Sequence, residues 1–202
     1  MLYILRKFID CLLPPHPTTL IIRAETPEKF LRYFKPKTFQ GTIALSEYKE
    51  EIVKNAIKAN KFHNDNQAAI LLAKLIEKWL EEQIVKPTIL VPIPLAKTRE
   101  QNRGYNQVTR ILEKIANHEN VLVENLLIRT RETPPQTKLS RSERLTNLKN
   151  VFAFRETRIN LQSYRIVLID DVVTTGTTLN SAYEVLKEKL PNNEIIRLAL
   201  AH

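Results

Sequence analysis

Apolar residues along this chain fall either into short unbroken runs or into helical spacing. Ile166 to Ile169 are four apolar residues in a row, three of them β-branched. Such a run predicts a strand buried on both faces, as in a parallel sheet. Thr88 to Val91 reads the same way, with Pro92 and Pro94 bracketing a turn at 92–95. Gly41 to Leu45, Leu126 to Thr130, Val151 to Phe154 and Ile195 to Ala201 predict further, shorter strands. Helical spacing covers 48–60 through Ile52, Val53, Ala56 and Ile57, and 68–84 through Leu71, Leu72, Leu75, Ile76, Trp79 and Leu80. Trp79 lies on that apolar face and is expected in the core. The polar stretch 61–65 predicts the break between these helices. A third amphipathic helix runs to about Asn117. A fourth covers 179–190 through Leu179, Ala182, Tyr183, Leu186 and Leu190, and Pro191 stops it. Strands near 42, 88, 126, 166 and 195 with helices between most of them predict an α/β fold. Its sheet is open, mainly parallel and flanked by helices.

The first forty residues read differently. Met1 to Leu13 is apolar with Arg6 and Lys7 in its middle, which predicts an amphipathic helix rather than a signal peptide. Leu12-Leu13-Pro14-Pro15-His16-Pro17 ends that helix and opens a proline-broken segment to Pro36. Phe30, Leu31, Tyr33, Phe34 and Phe39 are the apolar set available to pack a small lobe there. The expected division is an N-terminal lobe over 1–40 and an α/β domain over 41–202.

Composition narrows the classes. An apolar content of 43% over 202 residues supports a sizeable core. No stretch approaches the 18 consecutive apolar residues of a membrane span. A single cysteine, Cys11, leaves no disulfide framework and no thiolate zinc cluster, so the cytoplasm is the expected compartment. Lys and Arg number 31 against 22 Asp and Glu, a net charge of +9. That excess favours anionic partners: nucleic acid, acidic lipid or a polyphosphate substrate.

The chemistry concentrates after the 166–169 strand. Asp170 and Asp171 follow it at once, then Val172-Val173 and the turn Thr174-Thr175-Gly176-Thr177-Thr178, which feeds the helix. A turn into a helix N-terminus aims free N–H groups and the positive end of the helix dipole at one spot, where a phosphate fits. The threonine hydroxyls add donors, and Gly176 lets the backbone come close. The acid pair would repel a phosphate but can accept hydrogen bonds from sugar hydroxyls. One turn thus offers a phosphate seat beside a diol seat, which matches a ribose 5-phosphate. A Walker-type loop and a dinucleotide fingerprint both fail, because the three glycines are Gly41, Gly104 and Gly176. A second candidate lies at Lys97 to Gln107, a predicted loop with Lys97, Arg99 and Arg103 beside Gly104. The third is the polar, basic stretch from Arg131 to Asn150, with Gln136, Arg141 and Arg144. A long loop of this kind in a compact domain reads as a lid.

Val167 to Leu179 resembles the phosphoribosyl pyrophosphate (PRPP) motif of the type I phosphoribosyltransferases. Over most of its length the chain is similar to the ComF family, a branch associated with competence for DNA uptake. Val-Pro-Ile-Pro at 91–94, Arg103-Gly104-Tyr105-Asn106-Gln107, Lys61-Phe62 and the Arg131 to Asn147 stretch carry that likeness. The resemblance implies that Asp170 and Asp171 hold the ribose hydroxyls, while Thr174, Thr175, Gly176, Thr177 and Thr178 hold the 5-phosphate. It implies that Arg103 and Gly104, with Lys97 and Arg99 as weaker candidates, grip pyrophosphate, and that Lys61 contacts a phosphate. The lid of Arg131, Gln136, Arg141 and Arg144 would close over PRPP and exclude water. Mg²⁺ would enter bound to PRPP. The family's N-terminal region usually carries two Cys-x-x-Cys pairs that bind zinc. Here His16, Pro17 and Thr18 follow Pro14-Pro15 and no pair exists, so no zinc is expected.

The implied reaction is transfer of phosphoribosyl to a nitrogen acceptor with release of pyrophosphate, with Asp170, Asp171 and Arg103 as the catalytic set. No residue stands out as a general base, since His63, His118 and His202 are isolated in the sequence. Two other readings stay open. One is a PRPP-binding module without turnover. The other is a competence-associated protein that contacts single-stranded DNA or competence proteins, alone or as a homodimer. Tyr105 is the one aromatic amid the two basic stretches, and a DNA groove wants aromatics for base stacking.

Overall fold

A computed structural model describes residues 17–83, 86–115, 120–131 and 151–202. The expected opening helix over 1–13 and most of the lid, including Gln136, Arg141 and Arg144, lie outside the described residues. The elements are α1 (Pro17–Arg23), α2 (Pro27–Phe30), β1 (Lys37–Phe39), β2 (Thr42–Ser46), α3 (Glu51–His63), α4 (Asn66–Glu81) and β3 (Thr88–Pro92). There follow α5 (Lys97–Arg103), α6 (Gln107–Leu112), β4 (Val121–Val123), β5 (Leu127–Arg129), β6 (Phe152–Phe154), β7 (Arg165–Val172), α7 (Thr177–Lys189) and β8 (Ile195–Ala201). The main sheet has the order β1-β2-β8-β7-β3-β4. Every pairing in it is parallel except β1 with β2.

The unbroken apolar strands are buried on both sides, as their sequence requires. Successive side chains on β7 alternate faces. Val167 and Ile169 join the core formed with α3, α4 and α6, while Ile166 and Leu168 join the core under α7. Trp79 of α4 is 3% exposed, with the Arg165 guanidinium over its ring. Ile22 and Phe30 belong to the same cluster as Leu71, Leu75 and Ile76 of α4, and Leu31, Tyr33 and Phe34 pack against it. Phe39 packs on the opposite core.

Four expectations change. The 126–130 strand does not enter the main sheet. Its place at the edge is taken by β4, and β5 pairs antiparallel with β6 in a separate ribbon. β1, polar and three residues long, adds an antiparallel edge. α3 continues through Lys61-Phe62-His63 and stops at Asn64, which takes a left-handed conformation at φ 47°. The Lys97–Arg103 segment, expected as a loop, is a short helix closed by Gly104 at φ 80°.

From β3 the chain leaves through α5 and α6 toward β4, while from β7 it leaves through α7 toward β8, on the other side. The gap between the C-terminal ends of β3 and β7 is therefore a topological switch point, where ligands of open parallel sheets bind.

Candidate functional site

Asp170 and Asp171 lie at the C-terminal end of β7, and the strand's alternation sends them to opposite faces. Asp171 falls on the α3–α6 side and is 7% exposed. Its Oδ2 accepts from Gln107 Nε2 at 3.1 Å and lies 3.4 Å from Lys61 Nζ. Its Oδ1 accepts from its neighbour Val172 N–H at 2.8 Å. A buried carboxylate needs such partners to stay charged. Asp170 is partly buried and faces the α7 side, its Oδ1 accepting from the Asp171 N–H at 2.8 Å. Burial pushes the Asp170 carboxyl up to about 7, and the Asp171 charge adds to the rise. The Asp171 N–H and Lys61 pull the other way. Asp170 is therefore a weaker acid than an ordinary aspartate.

The hydroxyl-rich turn sits beside Asp170. Gly176 is the N-cap of α7 at φ 68°, a left-handed value that suits glycine. The Gly176 carbonyl accepts from Asn180 N–H at 2.8 Å, so the helix starts here and the positive end of its dipole faces the turn. Thr175 Oγ1 and Thr177 Oγ1 lie 2.8 Å apart, and Thr174 is exposed. A side chain at Gly176 would meet Gln40 Oε1 at 3.4 Å, which marks how closely the β1–β2 hairpin approaches the turn.

Opposite stands the segment that follows β3. Asn106 caps α6 by accepting from Val108 N–H at 2.9 Å, and its Nδ2 donates to the Ile93 carbonyl at 2.9 Å. This fixes Gln107, 4% exposed, between two partners: its amide N–H reaches Asp171 and its Oε1 accepts from Arg103 Nη1. Tyr105 ties the same segment to the end of α3. Its hydroxyl donates to the Asn60 carbonyl at 2.8 Å and accepts from Asn64 N–H at 3.0 Å. Asn60 Nδ2 in turn donates to the Gln107 carbonyl at 3.0 Å. Arg103, Lys61 and the acid pair thus form one network across the switch point. Lys97, Arg99 and Gly104 lie on the same short helix or its cap, and Arg131 is the lid residue within the described part.

Beside this network opens a cleft of about 650 Å³, lined by Lys61, Phe62, Arg99, Asn102, Arg103 and Tyr105 among others. Phe62 is 64% exposed, and Lys61 Nζ and the Arg103 guanidinium carbon each lie 5.8 Å from its ring centroid.

The sequence reading named Lys61 only as a phosphate contact and did not single out Gln107 or Asn60. Both are polar residues on the apolar side of a helix, Gln107 at 4% and Asn60 at 2% exposure. An uncharged polar residue at a core position of an amphipathic helix was the available signal. Among the described residues no cluster of three or more His, Cys, Asp or Glu could hold a metal. Likewise, no described helix is long and apolar enough to cross a membrane.

The strand order, the parallel pairing and the switch-point crevice define an open, mainly parallel α/β fold with a ligand crevice at the strand ends. Partial overlaps exist with a hypoxanthine phosphoribosyltransferase from Staphylococcus aureus (TM-score 0.39, 15% identity, 67% of each chain). Another is with adenine phosphoribosyltransferase from Leishmania donovani (TM-score 0.38, 14% identity, 91% of this chain and 67% of that one). No protein-family model matches the chain. Competence protein F of Haemophilus influenzae is 30% identical over 138 residues, 65% of this chain. DNA utilization protein YhgH of Salmonella typhi is 29% identical over 161 residues, 75% of this chain and 68% of that protein. Competence protein ComFC of Bacillus subtilis is 36% identical over 108 residues, 52% of this chain and 40% of that protein. The chain spans about 60% of the length of the Haemophilus protein. The chain is thus similar to ComF-like competence proteins over roughly half to three quarters of its length.

Proposed function

We propose that this chain binds PRPP as its magnesium complex and transfers the phosphoribosyl group to a nitrogen acceptor, releasing pyrophosphate. The observation that carries this reading is the acid pair at the end of β7, set between the turn into α7 and the Arg103–Gln107 network. In that arrangement the first turn of α7 takes the 5-phosphate, and Asp170 accepts hydrogen bonds from the ribose hydroxyls. Arg103 and the backbone near Gly104 stabilise the departing pyrophosphate. The C1–O bond breaks with its electron pair on pyrophosphate, and the acceptor nitrogen forms the new bond to C1 and loses its proton to solvent. Mg²⁺ arrives as part of the substrate, since it takes few protein ligands in phosphate sites.

Calorimetric titration with PRPP and Mg²⁺, followed by pyrophosphate release against a panel of nitrogenous bases, tests it. Binding with turnover on one base supports the transferase. Binding without turnover on any base leaves a PRPP-binding module. Absence of binding overturns the phosphoribosyl assignment.

One observation favours a second reading, contact with single-stranded DNA, which fits relatives described as competence and DNA utilization proteins. Phe62 presents an exposed ring flanked by two cations, the arrangement on which unpaired bases stack. This supplies the aromatic that the sequence reading found scarce.

A further inference from the structure

The tip of the β1–β2 hairpin carries a residue that its turn does not favour. Phe39 pairs with Thr42, so the connection is the two residues Gln40 and Gly41. Both take positive φ, 48° and 72°, as a type I′ turn requires. Such a turn prefers Asn, Asp or Gly at its first position, and a non-glycine residue at positive φ is uncommon. Glutamine trades that backbone preference for reach. Its side chain crosses to the threonine-rich turn before α7, where its Oε1 would lie 3.4 Å from a Cβ at Gly176, with Asn180 Nδ2 at 3.7 Å.

The hairpin tip is held there by β8. A side chain at Gly41 would run into the Arg197 guanidinium, so the tip has glycine where it rests on that side chain. Arg197 donates from Nη1 to Asn180 Oδ1, and its guanidinium lies over the Tyr183 ring, 4.7 Å from the centroid. Asn180 and Tyr183 are in the first two turns of α7. Hairpin, β8 and the start of α7 are therefore one assembly, and Gln40 is the polar side chain it delivers to the turn from outside the 170–178 segment. Gln40 is exposed, and its amide offers two N–H donors to an anion. Rotation about its last bond, which is soft, exchanges Oε1 for those donors.

We propose that Gln40 is a ligand-contacting residue whose amide donates to the 5-phosphate at the Gly176 turn, closing that seat from the β1–β2 hairpin. The inference rests on the phosphoribosyl reading. It accounts for Gln-Gly at the tip in place of the favoured Asn-Gly, because asparagine is one methylene shorter and stops short of the turn.

The test is ribose 5-phosphate binding to the full chain by calorimetry, with thermal melting beside it, for the wild type, Gln40→Asn, Gln40→Gly and Gln40→Glu. Ribose 5-phosphate carries the sugar and the 5-phosphate but no pyrophosphate. Asn-Gly and Gly-Gly are favoured type I′ pairs, so Gln40→Asn and Gln40→Gly are expected to melt at or above the wild-type temperature. Both are expected to bind about tenfold more weakly, the loss of one hydrogen bond to a charged group. Affinity then falls while stability does not, a split that a purely structural role would not produce. Gln40→Glu keeps the length and sets a negative charge against the phosphate. Its deficit relative to the wild type should grow from about pH 5 to about pH 8, as the ligand's phosphate takes its second charge near about pH 6. The inference is overturned if Gln40→Asn and Gln40→Gly bind as the wild type does, or if their affinity falls only in step with their melting temperature. A Gln40→Glu deficit that does not change with pH overturns it as well. In each of those cases the wild type still binds and the phosphoribosyl reading stands. If the wild type binds neither ribose 5-phosphate nor PRPP, that reading fails and takes this inference with it.

Discussion

Asp170 and Asp171 are neighbours in sequence with opposite circumstances. Asp171 is tied by Gln107 and Lys61 on one oxygen and by the Val172 N–H on the other. Asp170 accepts from the Asp171 N–H on one oxygen and carries the raised pKa. A carboxyl whose folded pKa stands above its unfolded value binds more protons in the folded state across the interval between the two. This group's contribution to stability is therefore fully present below the ordinary value of 3.8 and is lost as pH rises toward about 7. Above that, the ionised Asp170 is a standing cost to the fold. Asp170→Asn removes the charge and keeps the shape. At pH 8 it is expected to raise the melting temperature by about 2–4 °C, the response of a domain of this size to about 1 kcal/mol, and to have little effect at pH 4. The same variant should lose most ribose 5-phosphate affinity. Calorimetric melting at the two pH values, with ligand titration beside it, checks both. An unchanged melting temperature at pH 8 would show that the carboxylate carries no such cost.

At the scale of elements, the site is held by the end of α3, the α5–α6 corner and the start of α7. The last was legible in the sequence because a continuous apolar run, an acid pair and a glycine within threonines leave few other geometries. α5 was not, because no residue of Lys97–Arg103 is buried, so the helix has no apolar stripe to announce it. β4 escaped for a related reason: Leu122 and Val123 are 40% and 42% exposed, and three residues give too little alternation to read. The polar tail of α3 was read as a break, whereas Asn64 in its left-handed turn ends the helix three residues later. Tyr105 is what makes these pieces one unit, since its hydroxyl both donates to Asn60 and accepts from Asn64. Tyr105→Phe keeps the ring and removes both bonds. It is expected to cost about 1–2 kcal/mol of stability, the sum expected for two hydrogen bonds at about 0.5–1.5 kcal/mol each, one part-buried and one exposed. It should also weaken PRPP binding more than ribose 5-phosphate binding, because Arg103, two residues away, is the residue proposed above for the pyrophosphate. Denaturant unfolding and the two titrations check it, and equal losses for both ligands would show that the corner does not position Arg103.

Across the whole molecule the net charge of +9 is a field, and a field alone does not choose between a polyphosphate and a nucleic acid. The cleft couples the two readings, because it shares its cations with the acid-pair network. Lys61 is paired to Asp171, and Arg103 is bonded to Gln107, yet both also flank Phe62 on the cleft wall. A strand whose base stacks on Phe62 places its phosphates against Lys61, Arg99 and Arg103. PRPP, in the reading above, calls on Arg103 for its pyrophosphate. The two ligands then compete, and competition is reciprocal by linkage. A short oligothymidylate should therefore bind more weakly as PRPP and Mg²⁺ are added, and PRPP more weakly as oligonucleotide is added, by the same factor. With three cations in the cleft, the logarithm of oligonucleotide affinity should fall against the logarithm of salt concentration with a slope near −2, about 0.7 per phosphate on a single strand. Phe62→Ala should cost about 1–3 kcal/mol of that affinity, the worth of one stacked base. Phe62→Trp should keep it. Fluorescence anisotropy over a salt series, with and without PRPP, reads all of this. Oligonucleotide binding that ignores both Phe62 and PRPP would place the DNA contact elsewhere on the basic surface and leave the cleft to the phosphoribosyl chemistry.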